Sequence, residues 1–296
     1  MDERGEGRLF RKAALLGVGL IGGSVGMAIK EKGLAARVVG STTRLETLSR
    51  AKEVGAIDDG SLDICEVVQG ADLVILAAPV HRILEDLAAL PALVSPGAIV
   101  TDVGSTKTVI VRASAKVSRA GAYFVGGHPM AGSEKAGVAA ARPDLFHGAV
   151  WALCPGAAVP RQVMEKMEKL VAAVGARSVL LKPEEHDLLV AAISHLPHLV
   201  SAALVEQAEK AARRHPKVRM MAATGFRDTT RLAGGEPALW RDIFMSNRRQ
   251  VLAAIDRLIR ELSDFRAALD GKDETAVESF LERARQARPK YLAGAG

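Results

Sequence analysis

Only two cysteines, Cys65 and Cys154, occur in 296 residues. They lie far apart and without metal-type spacing, which excludes a disulfide framework and a cysteine-based zinc site. Both read as small buried hydrophobes of a reducing cytoplasm. Aromatic residues make up 4% of the chain, and its basic residues are interspersed with acids. No basic stripe with stacking rings exists, so nucleic acid is not an expected partner. Arg213 and Arg214, like Arg283 and Arg285, read as solvated helix faces. Internal repeats and low-complexity tracts are missing too. An uncharged run from Ala13 to Ile29 could pass for a membrane segment, but it carries Gly17, Gly19, Gly22, Gly23 and Gly26 and is barely long enough to span. No membrane association is expected.

What the chain does contain is 49% hydrophobic and 25% charged residues, the composition of an ordinary globular protein. Its length predicts two domains, and its net charge of +6 suits anionic ligands. The glycines of the apolar run have a positional meaning. Lys12 to Leu16 reads as a strand, Gly17-Val18-Gly19-Leu20-Ile21-Gly22 follows it, a helical stretch runs to about Lys32, and Arg37 to Gly40 reads as a second strand. Strand, GxGxxG, helix, strand is the dinucleotide-binding fingerprint: tight turn, close approach to a pyrophosphate, close helix packing, and a helix N-terminus facing phosphate charge. The second strand ends in Ser41-Thr42-Thr43-Arg44, where NAD-binding versions usually carry a carboxylate for the ribose 2′-hydroxyl. Hydroxyls and a guanidinium suit a 2′-phosphate instead, so NADP is favoured over NAD.

Strand–helix alternation continues through Leu73–Ala77, which ends at Ala78-Pro79 beside the expected nicotinamide, then Ala98–Thr101, Ala122–Val125, Val150–Leu153 and Arg177–Leu181. This predicts a doubly wound, mostly parallel sheet of about seven strands, α/β in class and spanning residues 1–182. Gly126-Gly127-His128-Pro129-Met130 follows the strand at 122–125. Open α/β sheets bind ligands at the carboxyl ends of their strands, and a histidine there suits proton abstraction near neutral pH. Ser105, within Asp102-Val103-Gly104-Ser105-Thr106-Lys107, also falls past a strand end. It could hydrogen-bond the histidine or the substrate, or cap a helix.

After Pro183 the periodicity becomes helical, which gives an all-helical second domain over 183–296. One helix is expected from Pro183 to about Arg214, kinked at Pro197, with His195 and His198 on one face. Residues 224–242 form an arginine-rich turn ending near Trp240, in which Arg227 or Arg231 could bind a carboxylate while the other pairs with Asp228. A helix from about 237 to 270 places Val251, Ile255, Leu258, Leu262, Phe265 and Leu269 on an a/d seam that fits an intramolecular bundle or a homodimer, the homodimer being favoured because few other elements remain to cover it.

Five ordered motifs, GVGLIGGS at 17–24, DVGSTK at 102–107, GGHPMAGSE at 126–134, HLPH at 195–198 and FRDTTR at 226–231 followed by Trp240, run nearly the whole chain. Together they resemble the prephenate/arogenate dehydrogenase family of tyrosine biosynthesis. The resemblance implies that His128 is catalytic and supported by Ser105, that His198 and Arg231 bind substrate, and that Glu134 lies near the pocket mouth. It implies a cytoplasmic, monofunctional enzyme that oxidatively decarboxylates a cyclohexadiene dicarboxylate, prephenate being favoured weakly over arogenate. Two rival readings are a β-hydroxyacid or imine reductase, for which no lysine of the helical half stands out, and a non-catalytic NADP-binding sensor.

Overall fold

The computed structural model describes residues 8–133 and 135–292. Two compact units emerge, Met1–Asp187 with Glu236–Ser246 and Leu188–Gly235 with Asn247–Gly296. The expected division at 182/183 thus differs in two respects: the chain leaves the first unit a few residues later, and one helix from the second half returns to it.

The first unit is a sheet flanked by helices. In chain order it contains β1 (Phe10–Leu16), α1 (Leu20–Glu31), β2 (Ala35–Ser41), α2 (Leu45–Glu53), β3 (Asp59–Ser61), α3 (Ile64–Val68), β4 (Leu73–Leu76), α4 (Val80–Ala89), β5 (Ile99–Asp102), α5 (Thr108–Ala113), α6 (Ala115–Arg119), β6 (Tyr123–Pro129), β7 (Val150–Pro155), α7 (Arg161–Ala173) and β8 (Arg177–Leu180). The strands form an eight-stranded sheet in the order β3-β2-β1-β4-β5-β6-β7-β8. Sequence reading counted about seven because β3 is only Asp59-Gly60-Ser61, too short and polar to announce itself. Pairing is parallel throughout except between β6 and β7.

Period-two alternation builds the core on both faces of this sheet. Ala13, Leu15, Leu73 and Ile75 join one buried cluster with Ile29 and Phe146. Ala14, Leu16, Val74 and Leu76 join the other with Ile83 and Phe124. Each such leucine, isoleucine or phenylalanine contributes about 1.5–3 kcal/mol by leaving water. Chain order reverses between β1 and β4, and that switch point opens a crevice at the strands' carboxyl ends.

Two expectations for this unit need correction. His128 sits inside β6, opposite Ala152 of β7, rather than beyond a strand. The Gly-Gly pair hid this, because glycine is a poor strand former, yet the antiparallel ladder with β7 extends the strand through Pro129. Cys65 is exposed whereas Cys154 is buried, so only the second behaves as a core residue. Burial pushes the Cys154 thiol up to about 12.

The second unit is helical. The chain enters it from α8 (Pro183–Val190), passes a π turn at Ala191–His195, and continues as α9 (Leu196–Arg214), α10 (Lys217–Met221) and α11 (Thr224–Thr230). A proline in a helix interior lacks one amide donor, and the wider π turn just before Pro197 absorbs that defect. Next, α12 (Pro237–Ser246) packs in the sheet unit, followed by α13 (Arg248–Asp270) and α14 (Glu274–Leu292) in the helical one. The single helix expected over 237–270 is therefore two, broken at Asn247. Buried Asn247 hydrogen-bonds the His195 ring at 3.2 Å, which fixes the break. Of the seam residues on α13, Val251 is buried and Phe265 stacks on Phe280 of α14 at 5.0 Å, whereas Leu262 and Leu269 are exposed. The run Pro183–Arg214 is, by length and composition, apolar enough to cross a membrane. It also carries His186, Asp187, His195 and His198, all buried.

Candidate active site

The crevice at the β1/β4 switch has a volume of about 820 Å³ and is lined by Gly17, Gly19, Ser41, Thr42, Arg44, Ala78 and Pro79 among others. Gly17 turns the chain at a φ of +100°, and a Cβ there would stand 2.4 Å from the Ala77 carbonyl oxygen. The turn thus needs glycine on both conformational and steric grounds. Gly22 packs equally closely, a Cβ on it meeting the Gly17 carbonyl oxygen at 2.1 Å. Leu20 and Ile21 open α1, so the amides of its first turn are presented where a pyrophosphate would lie. Ser41 is buried at the end of β2, where its carbonyl accepts from the Gly17 amide at 2.9 Å. A glycine cradle, a helix N-terminus and a hydroxyl-guanidinium rim fit a dinucleotide. Arg50, one and a half turns along α2 from Arg44, also lines the crevice and pairs with Glu53 at 3.0 Å. No motif in the sequence singled it out.

On the next two strands, β5 and β6, the DVGSTK and GGHP segments lock together. Buried Lys107 donates to the Asp102 carboxylate and, at 2.7 Å, to the Gly127 carbonyl. Asp102 also accepts from the Gly104 amide at 2.8 Å and the Gly127 amide at 3.1 Å. Burial pushes the Asp102 carboxyl up, while Lys107 and these amides oppose it. A Cβ at Gly127 would lie 2.4 Å from the Asp102 carbonyl oxygen, so this register admits glycine alone. The clamp sets the strand that carries His128.

That imidazole is half-buried, and its Nδ1 lies 2.8 Å from Nε2 of His186. Nδ1 of His186 lies 2.9 Å from Oδ1 of Asp187. Asp187 also accepts from the amides of Lys107 at 2.7 Å and Thr108 at 2.9 Å. Burial would raise its carboxyl, but the hydrogen bonds from His186, Thr108 and Lys107 prevail and hold it below the usual carboxylate range. Neither His186 nor Asp187 was singled out from the sequence, where they fall within the long helix expected from Pro183. Ser105 lies on the bend after β5 and makes no hydrogen bond among the described residues, so it is not the cap of α5; Asp187 supplies that cap from eighty residues away.

In the helical unit, His195 and His198 are both buried, and burial holds His198 below its ordinary value. Of the two arginines left open by the sequence, Arg227 pairs with Asp228 at 3.3 Å. Arg231 is exposed and has no ion-pair partner among the described residues. Trp240 stacks near Phe244 at 5.7 Å on α12, which belongs to the sheet unit, whereas Arg231 belongs to the helical one. That helix is tied down by Asp242, which pairs with His81 of α4, and by Ser246, which accepts from Thr106 at 3.0 Å. Glu134 lies outside the described residues.

Comparison with known proteins converges on one family. Residues 25–180 match the prephenate dehydrogenase nucleotide-binding domain, and residues 182–284 match the prephenate dehydrogenase dimerization domain. A prephenate dehydrogenase of Bacillus subtilis is 39% identical over 277 residues, covering 93% of this chain and 74% of the relative. The crystal structure of prephenate dehydrogenase from A. aeolicus in complex with hydroxyphenyl propionate and NAD+ superposes with a TM-score of 0.87 at 30% identity, covering 95% of this chain and 98% of that one. Arogenate dehydrogenase of Synechocystis superposes with a TM-score of 0.81 at 31% identity, covering 95% and 99%. With the nucleotide cradle, the GGHPM histidine and both family domains in place, the chain belongs to the prephenate dehydrogenase family of NAD(P)-dependent oxidoreductases.

Proposed function

We propose that this protein oxidatively decarboxylates prephenate to 4-hydroxyphenylpyruvate, using NADP in preference to NAD, and that it works as a homodimer in the cytoplasm. The observation that carries the reading is the His128 imidazole, clamped in place on β6 next to the sheet's ligand-binding edge and hydrogen-bonded through Nδ1 to His186. Gly17, Gly19, Leu20, Ile21 and Gly22 would hold the pyrophosphate, Ala78 and Pro79 would border the nicotinamide, and Ser41, Thr42 and Arg44 would receive the 2′-phosphate. When bound, the nicotinamide supplies the hydride acceptor.

His128, neutral, takes the proton of the ring hydroxyl as that carbon is oxidised. Loss of the ring carboxylate as CO₂ then leaves an aromatic ring, which makes the step effectively irreversible. Ser105, with a hydroxyl not engaged elsewhere among the described residues, is assigned to the same ring hydroxyl. Arg231 binds a substrate carboxylate, a role supported over Arg227 because, among the described residues, Arg227 pairs with Asp228 and Arg231 has no ion-pair partner. His198, kept neutral by burial, contributes a hydrogen bond to the side chain, with His195, Trp240 and Glu134 as further substrate-binding residues. The existence of an arogenate dehydrogenase among the similar structures keeps arogenate as the second substrate to be assayed.

Steady-state kinetics with prephenate and arogenate against both NADP and NAD test this reading. The expected result is CO₂ release with the highest kcat/KM for prephenate and NADP. A higher kcat/KM for arogenate or for NAD would reverse the corresponding assignment, and no turnover of either substrate would end it.

A further inference from the structure

The His128 imidazole does not end at its own ring. It begins a chain of three side chains whose far end is a carboxylate that can only accept, because Asp187 is held ionised by hydrogen-bond donors. That fixed end dictates the polarity of everything before it. Asp187 Oδ1 accepts from His186, so Nδ1 of His186 carries its proton, at 2.9 Å. A neutral His186 then has its lone pair on Nε2. Nε2 lies 2.8 Å from Nδ1 of His128 and must accept there, so Nδ1 of His128 carries the proton and Nε2 carries the lone pair.

We infer that His186 and Asp187 are positioning residues which fix the tautomer of His128 and share the positive charge it acquires, so that Nε2 is the atom that takes the substrate proton. This rests on the proposed function above. The same two residues tie the chain to the rest of the fold, since Asp187 caps α5 through the Lys107 and Thr108 amides and Lys107 in turn grips the Gly127 carbonyl. His186 and Asp187 are 1% and 2% exposed, so water does not compete for these bonds. Among the described residues of the sheet unit, the charged or titratable groups that hydrogen bonds link to His128 or to its neighbour Gly127 are His186 and Asp187 from α8, Asp102 at the end of β5, and Lys107 before α5. Asp102 and Lys107 neutralise each other, which leaves Asp187 as the one counter-charge of this set available to an imidazolium. Its hydrogen-bonded link to His128 runs through His186.

The test uses two variants of the whole enzyme. His186→Phe keeps a planar ring but offers no acceptor. His186→Gln places Oε1 near the position of the native Nε2 and restores acceptance from Nδ1–H, but not the route to Asp187. For His186→Phe the expected result is a fall in kcat of about tenfold to a hundredfold with little change in substrate KM, the pattern of lost orientation at a base. The acid limb of the kcat/KM profile should move to lower pH in both variants, because neither passes the Asp187 charge to His128. His186→Gln should recover part of kcat. Long-range proton–nitrogen NMR of the ligand-free wild type should show His128 protonated on Nδ1 at high pH, and a mixture of tautomers in His186→Phe. Cofactor binding and thermal unfolding identify any variant that has simply lost its fold.

An Nε2–H tautomer in the wild type would overturn the inference, as would wild-type kcat and an unmoved pH profile in His186→Phe. The NMR measurement needs no substrate. It therefore separates failure of the relay from failure of the functional reading, which would appear as absence of turnover by the wild type.

Discussion

A single imidazole carries the proposed chemistry, so its replacement is the sharpest test at the residue scale. His128→Asn keeps a polar side chain of similar reach but cannot act as a base. It should bind cofactor normally and lose at least about a hundredfold in kcat, the scale of general-base removal. Near-normal turnover by this variant would assign the base elsewhere. Arg44 tests cofactor choice. It is exposed at the rim of the crevice, and a hydrogen bond to a charged phosphate is worth about 1.5–3 kcal/mol. Arg44→Ala should therefore weaken kcat/KM for NADP by roughly tenfold or more and leave NAD nearly unchanged. Equal losses for both cofactors would show that Arg44 supports the loop instead. At this scale the sequence was most legible where a motif is local. Gly17 to Gly22 and His128 could be picked out because their neighbours in the chain are their neighbours in space. His186 could not, because its partner lies 58 positions earlier and only the β6–α8 approach brings the two rings together.

Elements are held in register by groups that look ordinary in the sequence. The Asp102–Lys107 pair is completely buried, and it joins the end of β5 to Gly127 on β6 through both the carboxylate and the ammonium. Removing one partner of such a pair strands the other charge, at a cost of about 3–5 kcal/mol. Lys107→Met should therefore lower stability by that amount in urea unfolding, and adding Asp102→Asn should recover a large part of it. A loss below about 1 kcal/mol would mean that water or another cation reaches Asp102. The sequence showed the motif as a place for Ser105, whereas the structure shows its two ends gripping the strand that carries His128. Strand and helix types were readable because apolar periodicity reports burial directly. What stayed illegible were the features set by distant contacts: β3, which exists only by pairing with β2; the passage of β6 through two glycines, which exists by pairing with β7; and the break at Asn247, which exists by bonding to His195.

For the whole molecule, the sheet unit and the helical unit bury their apolar residues very differently. The sheet unit closes a core on each face of its strands, with Leu15, Leu16, Ile75, Leu76 and Phe124 all at 1% exposure or less. The helical unit leaves Ile193 60%, Ile259 55%, Leu262 56%, Leu269 56% and Leu281 56% exposed. The apolar window of the Pro183–Arg214 helix is only 28% buried. Apolar area on this scale is atypical of a solvated surface and characteristic of an obligate interface. It falls within residues 182–284, which match the family's dimerization domain, so a second copy is the occupant that fits. In a two-fold dimer each substitution enters the interface twice, and a charge there faces apolar surface or its own image. Ile259→Glu combined with Leu262→Glu should therefore convert a species of twice the 31.2 kDa chain mass into one of that mass in sedimentation equilibrium, with the sheet unit still binding NAD(P). Turnover measured on the same sample then tells whether the site needs the partner. A wild type that sediments at the chain mass at micromolar concentration, or a double variant that stays dimeric, would rule out this face as the interface.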